Sequence, residues 1–128
     1  MTRNLDINVP RTVLERVIRL ANAWASEEYS ESKRDIAKKL PIAGVPTAEQ
    51  ALKLEIDSLP LTEAREIHAL MYLGREGAEN LSVSQAFALF RQGAATQEEV
   101  YVKGSLCSKV QLASYLTSAL NLLNAEGF

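Results

Sequence analysis

Hydroxyl residues standing three positions before a Gln or Glu at the head of an apolar run recur in this chain, as at Thr47 with Gln50, Ser82 with Gln85 and Thr96 with Glu99. In such a capping box the hydroxyl accepts from a first-turn backbone N–H, and the Gln or Glu reaches back to the cap's own N–H. Donors that every helix start leaves unpaired are thereby satisfied. Repeated starts of this kind commit a chain to several short helices. No segment alternates apolar and polar residues over a strand's length, and no Asn-Gly or Asp-Gly pair marks a hairpin. No internal repeat is present. The expected fold is therefore all-α, a compact bundle of five to six helices in one domain over residues 1–128.

The helices are placed by their apolar spacing. Asn8 and Pro10 open the first, in which Val13, Leu14, Val17, Ile18, Ala21, Trp24 and Ala25 recur three and four residues apart, with Arg16 and Arg19 on a solvated face. Residues 26–46 read as a short helix capped by Ser32 and Asp35, or as a mobile arm, ending in the PIAGVP hinge. Thr47 opens a helix whose Ala48, Ala51, Leu52, Ile56 and Leu59 share one face. Thr62 is expected to cap the next helix and Gly74 to stop it, with Ala64, Ile67, Leu70, Met71 and Gly74 as its packing stripe. Ser82 opens a helix with Val83, Ala86, Phe87 and Phe90 inward and Gly93 as its end. Thr96 is the expected cap of the following segment, where Val100, Tyr101 and Val102 also suit extended chain. A last helix from about Ser105 to Glu126 is apolar over most of its girth. That predicts a place at the bundle's centre or at a dimer interface.

The same residues restrict function. The chain has 128 residues, 47% of them apolar, enough to bury a core without disulfides or a structural metal. One cysteine, Cys107, and no recognisable signal segment lead to the expectation of a reducing cytoplasm, and no apolar run reaches a bilayer's thickness. The net charge of −2 and the lack of a dense basic stripe count against a nucleic-acid binder. The basic cluster Lys33, Arg34, Lys38 and Lys39 is interleaved with acidic residues, as on a solvated helix.

The single histidine, His68, is the obvious candidate for proton transfer. It lacks the partners that chemistry needs. Zinc requires three or four ligands and a di-iron bundle a Glu three residues before each His, where this chain has Arg65. Of the neighbours Leu106, Ser108, Lys103 and Val110, only Lys103 could lower the pKa of Cys107. No GxSxG elbow or phosphate-cradling glycine loop occurs, and the Glu63–Glu66, Glu27–Glu28 and Glu98–Glu99 pairs suit helix surfaces and N-termini. The expectation is no catalytic, cofactor or metal site. A helix-turn-helix about Gly93 or Gly104 is the alternative, a DNA-binding regulator, but its recognition helix would carry Lys109 as its only basic residue.

The run Ala69-Leu70-Met71-Tyr72-Leu73-Gly74-Arg75, with the later Leu112, Tyr115, Leu116 and Leu120 and the opening INVPRTVLERVIRLANAWA, resembles bacterial domain-of-unknown-function family 3775. That resemblance implies a fold without an activity. The function expected is a non-enzymatic protein-binding module that occludes or bridges a partner, for instance a phage-encoded inhibitor of the anti-CRISPR kind, and that forms a homodimer through the terminal helix. The expected contact residues are Tyr72 and Arg75, off the packing face of their helix, with Leu112, Tyr115 and Leu122 on the terminal one.

Overall fold

The computed structural model describes residue 7 and residues 9–31 and 47–125, which form six helices. They are α1 (Arg11–Glu31), α2 (Ala48–Asp57), α3 (Leu61–Glu76), α4 (Val83–Ala94), α5 (Glu99–Ser108) and α6 (Leu112–Ala125). No strand occurs among the described residues, so the fold is the all-α bundle that the spacing predicts. Residues 26–31 continue α1. The proposed Ser32 cap, the PIAGVP hinge and the Lys33–Lys39 cluster lie outside the described residues. No described helix is long and apolar enough to cross a membrane.

Local chemistry explains the starts. At α1 the Pro10 carbonyl accepts from the Leu14 N–H at 3.0 Å, a position where proline's missing donor costs nothing. Both bonds of the capping box form at Thr47, with Gln50 at 3.0 and 3.1 Å, and at Ser82, with Gln85 at 3.1 Å each. The other two expected caps do not form. α3 begins one residue before Thr62, with Pro60 as its cap and the Pro60 carbonyl accepting from Ala64. α5 begins after Glu98 rather than Thr96, and Val100–Val102 are helical.

Leu14, Val17, Ala21 and Trp24 turn the buried face of α1 onto α2 and α6. Leu52 and Ile56 bury α2 against α1 and α5. The end of α2 is closed from another helix: Lys103 Nζ on α5 donates to the Asp57 and Leu59 carbonyls at 3.0 and 2.8 Å, and also meets Glu99 at 2.8 Å. A cation at a helix C-terminus satisfies orphan carbonyls and complements the dipole.

The centre of the bundle is α3, not the terminal helix. It packs against α4, α5 and α6, and Ala64, Glu66, Ile67, His68, Ala69, Leu70, Met71 and Leu73 are all buried. Complete burial of a leucine or isoleucine contributes about 1.5–3 kcal/mol, so this one helix carries much of the core. The expected single terminal helix is two. Lys109 takes an extended backbone and Leu112 N–H closes a turn onto its carbonyl at 3.0 Å. α5 rests on α2 and α3 while α6 rests on α3 and α1, and one straight helix could not serve both. The wide apolar girth of α6 is used within the chain: Leu112, Ala113, Leu116, Ala119 and Leu123 are buried, and Leu120 and Leu122 pack beside them.

Glycine roles also differ from expectation. Gly74 does not stop α3; it lets the α6 backbone approach so closely that a Cβ there would sit 1.7 Å from the Tyr115 carbonyl oxygen. The stop is Gly77, at φ +77°, whose N–H bonds the Leu73 carbonyl at 2.8 Å. Gly93 is interior to α4, which runs on to Ala94, and Gly104 is interior to α5.

Candidate functional site

The last two turns of α3, the loop over residues 77–82 and the outer side of α4 enclose an open groove of about 580 Å³. Its floor is aromatic: the Tyr72 and Phe90 rings stack with centroids 6.0 Å apart and planes 21° from parallel. Ala78, Leu81, Ala86 and Leu89 complete the apolar lining. Arg75 lies beside it with its guanidinium 5.6 Å from the Tyr72 ring centroid, at cation–π distance, while its Nε pairs with Glu76 at 3.1 Å. Glu79 also lines it, from a left-handed backbone at φ +54°. The loop is tied at both ends, by Gly77 on Leu73 and by the Ser82 box, and a 3.0 Å bond from Leu81 N–H to the Ala78 carbonyl braces it between. The groove is therefore held open by covalently short, hydrogen-bonded chain.

Tyr72 is supported from below by His68. That imidazole is only 1% exposed and meets the Tyr72 ring edge-on at 5.0 Å and the Tyr101 ring at 6.0 Å. Its Nε2 lies 3.3 Å from Ser105 Oγ, and Nδ1 has no hydrogen-bond partner. Burial first, then the Lys109 charge, hold the imidazole below its usual pKa. Burial and the adjoining Tyr101 hydroxyl push the Tyr72 phenol upward. A base of the Ser-His type needs a third group to orient the ring, and here Nδ1 meets none. The arrangement makes His68 a packed wall behind the groove. Burial, reinforced by the Asp57 charge, likewise pushes the Cys107 thiol up, away from the thiolate a nucleophile requires. Among the described residues no three His, Cys, Asp or Glu side chains gather as a metal site would need.

The structure unites Tyr72 with Arg75 as expected and separates them from the α6 candidates. Leu112 is fully buried beneath α6 and offers nothing to a partner, because that helix turns it onto the core. Tyr115 and Leu122 are half-buried against the same core and do not line the groove, and the Tyr115 hydroxyl is spent on Gln111 Oε1 at 2.6 Å. Among the groove residues that escape the sequence reading are Leu81, Leu89 and Glu79. Leu89 had a legible signal, since it falls outside the inward spacing of Val83, Ala86, Phe87 and Phe90 and so must face out.

Glu66 escapes it as well. Far from being a surface carboxylate, it is buried at 3% exposure, accepts from the Val9 N–H at 2.6 Å and pairs with Arg91 at 2.7 Å. These engagements bear on phosphate binding too. Arg91 and Lys103 are both committed to partners within the chain, Lys109 lies in the turn before α6, and α6 carries no cation.

The chain matches no known protein-family model, no curated protein and no solved structure.

Proposed function

We propose that this chain is a non-enzymatic protein-binding module that docks a partner in the groove between α3 and α4. The observation that carries the proposal is an apolar wall left standing in solvent on a braced frame. Leu89 is 57% exposed and Leu81 40%, beside the stacked Tyr72 and Phe90 and the Arg75 guanidinium. Tyrosine and arginine dominate the energetics of protein interfaces because each offers a large, stiff contact surface with a polar edge. A frame already braced by caps and turns also loses little freedom on binding. An inhibitor that acts by occlusion, of the anti-CRISPR kind, would use the same surface.

Affinity capture followed by size exclusion tests this. The wild-type protein should carry a defined partner through the column, and Leu89→Gln, which removes the exposed wall without touching the core or the charge, should release it. Equal capture by both proteins, or none by either, would refute the groove as the working surface.

A further inference from the structure

We infer that the groove's occupant is an amphipathic segment of a partner protein that carries one Lys or Arg among its apolar side chains, with Glu79 receiving that cation. This deepens the docking function and rests on it. The charges at the rim are unequal in availability. Arg75 and Glu76 pair with each other at 3.1 Å and largely cancel. Glu79 is exposed and makes no ion pair among the described residues. Its backbone stands at φ +54°, a conformation that glycine or asparagine adopts more easily, so a turn that sequence alone would not favour presents this residue on the groove's lining. The surface thus presents an apolar trough whose lining carries one uncompensated negative charge, and its complement is an apolar stripe with one positive charge.

Size and sign narrow the occupant further. The exposed faces of Leu81 and Leu89 extend the apolar surface past the trough itself, so a pocket-sized molecule would leave them wet. A helix laid in the trough would present apolar residues at i, i+4 and i+7, the spacing by which such grooves are read. A second copy of the chain docked face to face would bring two surfaces of the same negative balance together, and nucleic acid would bring phosphates to one.

Selection from a phage-displayed library of random dodecapeptides against the immobilised full chain tests the inference. Enriched peptides should combine helically spaced apolar residues with a Lys or Arg, should lose binding to L89Q, and should bind E79K roughly tenfold more weakly, with part of that loss recovered when their Lys is changed to Glu. Both substitutions lie on exposed positions, and circular dichroism of each variant should match the wild type. Enriched peptides that require Leu89 but lack a cation, or that ignore E79K, would overturn the inference and leave the docking function standing. Peptides indifferent to L89Q, or no enrichment at all, would overturn both. Self-association seen by sedimentation and abolished by L89Q would assign the groove to a second copy and overturn the inference as well.

Discussion

Replacing Gly74 by alanine adds a single methyl group, and the geometry of the α3–α6 contact determines what that methyl meets. It would sit 1.7 Å from the Tyr115 carbonyl oxygen, 2.6 Å from the carbonyl carbon and 3.0 Å from the Ala119 nitrogen. All three are backbone atoms of a helix, so no side chain can swing aside. α6 would have to retreat by roughly 1.5–2 Å to restore ordinary contact, loosening its buried Leu112 and Leu116 within the core shared with α3. Overpacking a well-filled contact costs about 1–3 kcal/mol, and a clash with rigid backbone belongs at the upper end. Against this, alanine is better than glycine inside a helix by about 0.5–1 kcal/mol. The strain wins, and urea denaturation should show a net loss of about 2 kcal/mol. Gly93→Ala is the control: that position is also helical and exposed, a methyl there meets nothing within 4 Å, and only the propensity gain of about 0.5–1 kcal/mol remains. The same substitution should therefore change sign between two helices of one protein. A Gly74→Ala variant as stable as the wild type would refute the close backbone approach, and with it the seating of α6 on the central helix.

Three further outcomes follow from buried groups. His68 is held neutral by burial, with its pKa below the ordinary 6.5; the unfolded chain then binds more protons, so stability is complete above that value and falls as pH drops below it. Urea midpoints between pH 7.5 and 5 should decline more steeply for the wild type than for His68→Phe, and parallel declines would contradict a neutral buried ring. Glu66→Ala removes the acceptor of the Val9 N–H and one partner of Arg91, and should cost about 2–3 kcal/mol, with Glu66→Gln losing less because its carbonyl still accepts. Thermal melts of both variants measure this, and a loss no larger than for an exposed carboxylate such as Glu98 would show that the buried bridge contributes little. Cys107, its thiol pushed up by burial and by Asp57, should react with a thiol reagent at pH 7 more slowly than a free thiol such as glutathione, and equal rates would contradict its shielding.

What could be read from the sequence, and what could not, divides along the range of the interactions. The boxes at Thr47 and Ser82 are complete within four residues, so both were legible and both form. The buried faces of α1 and α2 follow from a 3.6-residue period that needs no knowledge of the partner helix. Glycine is different, because one residue type serves opposite ends. Gly77 is chosen for its positive φ, Gly74 for the carbonyl that approaches it, and Gly93 for neither, and only the first is a local matter. The break between α5 and α6 has no Gly or Pro to announce it, since it arises from two docking directions that meet at Lys109. Glu66 finds Arg91 twenty-five residues away and Val9 fifty-seven away, so no helical pattern could have distinguished it from Glu63. The groove falls between these cases. Tyr72 and Arg75 are visible as residues off the packing face, but the trough exists only because Gly77 ends α3, Ser82 starts α4 and the short loop between them folds back. Two locally coded helix ends thus generate a surface that neither codes for alone, and Leu81 and Glu79 owe their place on it to that junction, while Leu89 faces out by the period of α4.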